Sequence, residues 1–204
     1  MNIEKDRKDT IEYYEKNAEG FVERTFNVDF SETQERFAKQ VRTGGLVLDF
    51  GCGSGRDTKW FLDKGFRVEA IDGCETLCDI ASKNTGISVK HMFFNELDEQ
   101  EKYDGIWACS SILHCPKDEL TDVFKRMILA TVPGGFLYVS FKYGTFEGIR
   151  YERHFTDFNE ESFSKYTSQF AEVSIIDEWV TSDVRPGRGE EKWLNIILKK
   201  SDTI

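Results

Sequence analysis

Positive charge is scarce in this chain. Its 204 residues carry 27 Lys and Arg against 37 Asp and Glu, a net charge of −10 with a pI near 4.9. A field of that sign repels nucleic-acid phosphates and anionic bilayer surfaces. Long apolar runs are missing as well. The opening MNIEKDRKDTIEYYEKN is charged where a secretory signal would be apolar, and no later run is long enough to span a bilayer. The expected location is the cytoplasm, with neither nucleic acid nor membrane as partner. The five cysteines, Cys52, Cys74, Cys78, Cys109 and Cys115, include no CxxC pair and no zinc-type histidine spacing. They are expected to be reduced, packed thiols with no metal, although Cys52 and Cys115 stand where a pocket could use them. Internal repeats, low-complexity tracts and linkers are absent too. With 39% hydrophobic residues, the length suits one domain with a substantial core.

Against these absences stands one dense feature, LVLDFGCGSGRD from Leu46 to Asp57. An apolar run ends in Asp49, and Gly51, Gly53 and Gly55 follow at every second position. It reads as a buried strand, a tight turn and a helix start, with room for a ligand over the strand end. A dinucleotide fingerprint would place its third glycine at Arg56, and no GxxxxGK phosphate loop occurs. The turn therefore points to a nucleotide-type site of another kind, with an unliganded strand-to-helix turn as the alternative.

Periodicity organises the rest. Helices are expected over Asp9 to Phe21 and Ser31 to Val41, before the first strand. After the glycine turn come a helix ended by Gly65, a strand from Phe66 to Ile71, a helix from Thr76 to Lys83 and a strand from Ser88 to Phe93. A strand from Asp104 to Cys109, a helix from Lys117 to Ala130 and a strand from Gly135 to Phe141 continue the alternation, the signature of a parallel sheet with crossover helices. A short helix, Ser162 to Tyr166, precedes strands at Val173 to Val180 and Trp193 to Lys199. These two strands and their polar loop suggest an antiparallel edge hairpin. One domain is expected over 1–204, with a helical cap at 1–44 and a ligand-binding core at 45–204.

Asp72, 17 positions beyond Gly55, ends the second strand. Ligands of open parallel sheets bind beyond the carboxyl ends of the strands, where an acid can accept from both ribose hydroxyls. With Asp49, the three glycines, Asp72, the FNEL segment (Phe94 to Leu97), YDGIWACSSILH (Tyr103 to His114) and VPGGFLYVSF (Val132 to Phe141), the chain resembles the class I S-adenosylmethionine-dependent methyltransferases over nearly its whole length. The resemblance implies an α/β, Rossmann-like, doubly wound, seven-stranded and mostly parallel sheet whose antiparallel last strand inserts between the fifth and sixth. It implies S-adenosyl-L-methionine as cofactor and S-adenosyl-L-homocysteine as product. Gly51, Gly53 and Gly55 would approach the cofactor, Asp49 would orient the loop or the ammonium group, and Asp72 would hold the ribose. Glu96, or Asn95, would accept from the adenine amine with Leu97 against the ring. Ser110 and Ser111 would face the methionyl end and Tyr14 would close over it.

His114, after the fourth strand, is the candidate catalytic base, or else a histidine that shapes the pocket. Strand four shows CSSI where many amino methyltransferases of nucleic acids and protein glutamines carry an Asp- or Asn-Pro-Pro-aromatic tetrapeptide, which argues against base methylation. Late in the chain stand Lys142, Tyr143, Arg153, Arg185 and Arg188, able to receive an anionic substrate through guanidinium forks or to pair with surplus carboxylates. The FKYG, FTD and WLN segments are similar to those of tellurite-resistance-type methyltransferases. The expected function is methyl transfer to a small nucleophile, anionic or soft, such as a thiol, chalcogen oxyanion, carboxylate or amine. The expected assembly is a monomer or homodimer. A tRNA or protein methyltransferase, a silent cofactor-binding protein and an NAD-type oxidoreductase are the competing readings.

Overall fold

The computed structural model describes residues 3–202, with side chains from residue 6 onward, so the outer limits of the expected domain lie outside the described residues. In chain order the elements are α1 (Ile3–Thr25), α2 (Ser31–Ala38), β1 (Leu46–Phe50), α3 (Arg56–Asp63), β2 (Arg67–Asp72), α4 (Glu75–Thr85) and β3 (Lys90–His91). They continue with β4 (Tyr103–Ala108), α5 (Lys117–Ala130), β5 (Thr131–Lys142), β6 (Glu147–Arg150), β7 (Arg153–Thr156), α6 (Glu160–Thr167), β8 (Val173–Ser182) and β9 (Lys192–Lys200). Among the described residues no helix is long and apolar enough to cross a membrane.

Seven strands make one sheet in the order β3-β2-β1-β4-β5-β9-β8. β1 runs parallel to β2 and β4, and β4 parallel to β5. β9 is antiparallel to both β5 and β8, since a hairpin loop must return the chain in the opposite sense. The Rossmann-like sheet with its inserted antiparallel strand is thus the one the sequence implied.

The central strands are buried on both faces, and their period of two divides the core. Leu48 and Phe50 of β1, Ile106 and Ala108 of β4, and Leu137 and Val139 of β5 face one side, packed with α5 and α6. Val47, Trp107, Tyr138 and Ile197 face the other, against Phe37 of α2 and Phe61 of α3. Trp107 stacks on Tyr138 with centroids 3.9 Å apart. The two leading helices therefore do different work: α2 covers this sheet face, while α1 crosses the carboxyl ends of the strands and lines the cavity there.

Two local readings change. The strand expected from Ser88 to Phe93 shrinks to Lys90–His91, because Glu96 accepts from the Phe93 N–H (2.7 Å) and closes a 3-10 turn over Phe94–Glu96. The β6–β7 hairpin is an element that periodicity did not disclose. Its pairing runs from Glu147↔Thr156 to Arg150↔Arg153. The two linking residues, Tyr151 (φ 52°) and Glu152 (φ 61°), both sit in the left-handed region, which such a turn normally fills with Asn and Gly. Holding side chains there costs about 1 kcal/mol or more each. The double substitution Tyr151→Asn/Glu152→Gly should therefore raise stability by roughly 1 kcal/mol, read as a thermal midpoint several degrees higher. A lower midpoint would show that the turn is not strained.

Candidate active site

The glycine loop is fastened before any ligand is considered. Gly51 N–H and Cys52 N–H both donate to the Ile71 carbonyl, at 3.0 and 2.9 Å, which ties the end of β1 to the end of β2. Gly51 has φ 88°, and a Cβ on it would lie 2.5 Å from Ser111 Cβ and 3.1 Å from Phe94 Cζ. The loops after β1 and β4 thus meet where no side chain fits. Gly55 answers to a different constraint: with φ 80°, its Cβ would stand 2.8 Å from Thr85 Cγ2 of α4. Helix packing, rather than a ligand, requires this third glycine.

Asp49 lies below the loop and off the cavity wall. It is 1% exposed and accepts from Thr58 Oγ1 at 2.6 Å. Burial, reinforced by the neighbouring Asp57 carboxylate, pushes its pKa up. Burial would raise Asp57 too, but the Arg56 guanidinium and the Trp107 and Gln34 donors hold it below the usual carboxylate range. Arg56 forks onto Asp57 at 2.7 and 2.9 Å and lies over the Phe30 ring, 4.5 Å from its centroid. The residue that disqualified a dinucleotide fingerprint is the counter-ion of a buried acid.

Asp72 reaches the cavity with its direction fixed. Its Oδ2 accepts from Gly53 N–H and its Oδ1 from Cys74 N–H, both at 2.9 Å. Burial raises its pKa, and the two backbone donors pull the other way. Phe93 and Phe94 line the cavity beyond it. Glu96 and Leu97, expected there, are placed elsewhere. The Glu96 side chain is exposed and spent on capping Phe93, while Leu97 is 1% exposed within the α5-side core.

At the end of β4, Ser110 is held at φ 53° by donating its N–H to Ser140 Oγ (2.8 Å), and Ser111 Oγ donates to the Phe50 carbonyl (2.6 Å). A 3-10 turn over Ile112–His114 follows. His114 Nδ1 lies 2.7 Å from the His154 carbonyl oxygen, which only accepts, so the ring carries its proton on Nδ1 and offers Nε2 as acceptor. The Tyr14 hydroxyl, 3.0 Å away, donates to Nε2, and Arg153 Nη1 donates to the Tyr14 oxygen at 3.1 Å. Burial, followed by nearby cations such as Arg153, drives His114 down to about 3 against the pull of the His154 carbonyl. At neutral pH it is an uncharged hydrogen-bond acceptor. The expected general base is ill suited to taking a proton, and of the two roles left open the geometry fits the residue that shapes the pocket.

The late cations are largely neutralised from within. Arg185 forks onto Asp183 at 2.9 and 2.5 Å, and Lys142 pairs with Glu191 and with Asp183 (3.4 Å). Arg188 lies 3.5 Å from Glu191, and the Tyr143 hydroxyl donates to Glu160 at 2.8 Å. The FKYG, FTD and WLN segments find internal partners in the same way: Lys142 as above, Asp157 with an Arg150 fork at 3.1 and 2.9 Å, and Asn195 accepting from the Tyr138 hydroxyl at 2.7 Å.

One cavity of about 540 Å3 collects most of these groups. From the expected cofactor and catalytic sets it brings together Tyr14, Gly51, Gly53, Asp72, Ser110 and His114. Lys142, Tyr143, Arg153, Arg185 and Arg188 of the expected substrate set line it too, whereas Asp49, Gly55, Glu96 and Leu97 do not. On α1 only Tyr14 was expected; Arg7, Thr10, Ile11 and Phe21 line the cavity beside it, and the i, i+3, i+4 and i+7 spacing of Arg7, Thr10, Ile11 and Tyr14 marks one helix face.

Residues 47–135, from β1 into β5, match the family model described as a methyltransferase domain. A relative from Staphylococcus carnosus (strain TM300), named an uncharacterized methyltransferase, is 27% identical over 123 residues. That alignment covers 60% of this chain and 58% of the relative, so the chain spans less than two thirds of that relative's length. Among solved structures, the Burkholderia thailandensis 1,6-didemethyltoxoflavin-N1-methyltransferase superposes with a TM-score of 0.82 at 20% identity, over 99% of this chain and 92% of that one. The N-methyltransferase NodS from Bradyrhizobium japonicum WM9 gives 0.69 at 14% identity, over 91% and 97%. At such identities the structural likeness is one of fold. Residues 47–135, which hold the glycine loop, Asp72 and His114, are thus similar to a methyltransferase domain, and the whole chain shares the fold of the methyltransferases it superposes on.

A neutral His114 has a consequence for stability. The unfolded chain takes up a proton on this ring near pH 6.5 and the folded chain only near 3, so its contribution is complete above about pH 6.5 and shrinks as pH falls toward about 3. Thermal melts from about pH 7.5 down to about 4.5 should show the wild type losing more stability than His114→Gln, which accepts from Tyr14 but cannot be protonated. Parallel losses would contradict the assigned tautomer and its partners.

Proposed function

We propose that the whole chain is an S-adenosyl-L-methionine-dependent methyltransferase whose acceptor is a small molecule. The observation that carries this reading is the cavity itself. Its volume of about 540 Å3 lies in the range of about 300–1,000 Å3 usual for small-ligand sites. It extends from the glycine loop to a wall made by α1, the β6–β7 hairpin and the β8–β9 loop. Roofed in this way, it suits a cofactor and a compact acceptor better than a folded macromolecule. The structures it superposes on support the reading, since the Burkholderia enzyme holds 1,6-didemethyltoxoflavin with S-adenosylhomocysteine and NodS holds S-adenosylhomocysteine. The acidic net charge counts against the runner-up, a tRNA methyltransferase.

The residues present fit the cofactor. Gly51 and Gly53 leave the backbone bare where Ser111, Phe94 and Phe21 crowd in. Asp72 keeps lone pairs beyond those taken by Gly53 and Cys74, enough to accept from two hydroxyls. Phe93 and Phe94 offer ring faces for the adenine in place of Glu96 and Leu97. When bound, S-adenosyl-L-methionine supplies a sulfonium methyl that is already electrophilic. The protein's work is then to position and to exclude water. Tyr14 on α1 closes the cavity and is held by His114 and Arg153, while the strained Ser110 backbone turns toward the same corner.

Calorimetry tests this directly. The wild type should bind S-adenosyl-L-methionine and S-adenosyl-L-homocysteine, and Asp72→Ala should remain folded, with its circular dichroism retained, but bind either about tenfold or more weakly. Near-normal binding by the variant would remove Asp72 from the ribose role. Failure of the wild type to bind either would overturn the reading.

A further inference from the structure

We propose that the acceptor enters as a small monoanion with a carboxylate-like pair of planar acceptor atoms, and that Arg153 alone among the late arginines holds it. This rests on the methyltransferase reading above. The argument begins with which cations are already spent. Arg150, Arg185 and Arg188 each face a carboxylate, and Lys142 faces two. An arginine engaged in a bidentate pair has little left for a ligand, since breaking the pair strands the carboxylate.

Arg153 differs. Among the described residues no carboxylate lies within ion-pair distance of it. Its polar contacts are the Tyr14 hydroxyl at 3.1 Å and the Tyr151 carbonyl at 3.5 Å. The guanidinium lies over the Tyr13 ring, 4.2 Å from its centroid, with Phe155 at 5.2 Å. It is partly buried on the cavity wall. Two of its five N–H donors are used. A partly desolvated cation resting on aromatic faces is stabilised by a counter-ion, and the fork of remaining donors matches a planar pair of acceptor atoms.

The corner next to it gives a second, independent reason. The Tyr14 hydroxyl hydrogen is committed to His114 Nε2, and the His114 Nδ1 hydrogen to the His154 carbonyl. His114 thus has no free lone pair, and burial keeps the ring neutral. An acceptor that must shed a proton to become nucleophilic cannot pass it to this pair, whereas one that arrives deprotonated needs no base at this corner. One uncompensated guanidinium matches one negative charge.

The test is a titration of benzoate into protein first loaded with S-adenosyl-L-homocysteine, with neutral benzamide as the matched control. Saturable benzoate binding at millimolar concentration is expected, with benzamide much weaker. Arg153→Gln should weaken benzoate by about tenfold or more, and Arg153→Lys, which keeps the charge without the fork, should fall between. Arg188→Gln removes a cation already paired with Glu191 and should change affinity by less than about twofold. Each variant is first titrated with S-adenosyl-L-homocysteine and then loaded to saturation, so that any loosening of Tyr14 by the Arg153 changes is separated from the effect on benzoate. The proposal is overturned if benzoate does not saturate, if benzamide binds as well, or if Arg153→Gln leaves binding intact while cofactor loading is normal. Failure of the loading step itself would overturn the methyltransferase reading, and this proposal with it.

Discussion

Asp57 places a carboxylate inside the protein, at the junction of α2, α3 and β4, and four hydrogen bonds hold it there. Gln34 and Arg56 Nε donate to one oxygen, and Arg56 Nη2 and Trp107 to the other, all between 2.7 and 2.9 Å. Removing one partner from such a buried ionic group typically costs about 3–5 kcal/mol, because a charge is left without compensation. The knot fixes the start of α3, and the start of α3 fixes the glycine loop. It also determines which neighbouring acid stays charged: Asp57 keeps its charge beside Arg56 while Asp49 is pushed toward its protonated form. The backbone at Gly51 and Gly53 is therefore presented by a scaffold set before any ligand arrives.

Over that scaffold lies a wall that the parallel sheet does not provide. α1 is tied to three parts of the core: Arg7 to Glu119, Glu15 to the Glu75 N–H and Thr76 hydroxyl, and Tyr14 to His114. The β6–β7 hairpin brings Arg153 to Tyr14 and the His154 carbonyl to His114. Roof and hairpin thus meet at one corner, made of two rings and one guanidinium. In a chain of net charge −10, the other arginines that line the cavity, Arg7, Arg56, Arg150, Arg185 and Arg188, each face a carboxylate, which makes the unmatched Arg153 chemically informative.

How much of this could be read from the sequence depended on how local the cause was. The alternation of Val47 and Leu48, or of Trp107 and Ala108, marks strands buried on two faces, and the glycine run and Asp72 mark the strand ends they occupy. The hairpin escaped because its turn is Tyr151-Glu152, the opposite of turn chemistry. Glu96 and Leu97 were misplaced because a local cap, Glu96 on Phe93, competes with any ligand for that carboxylate. The pairing of Lys142 with Asp183 and Glu191 spans 41 and 49 positions, and the His114 tautomer is set by a carbonyl 40 positions away. Contacts of that separation leave no mark in spacing or periodicity.

We propose that the methyl donor lies between the glycine loop, Asp72 and the α1 roof. A crystal structure of the protein with S-adenosyl-L-homocysteine tests that placement most directly. The account predicts the ribose hydroxyls on Asp72, the adenine between Phe93 and Phe94, and the sulfur turned toward the Tyr14–His114–Arg153 corner. A product bound away from Asp72, or with its sulfur turned from that corner, would contradict it.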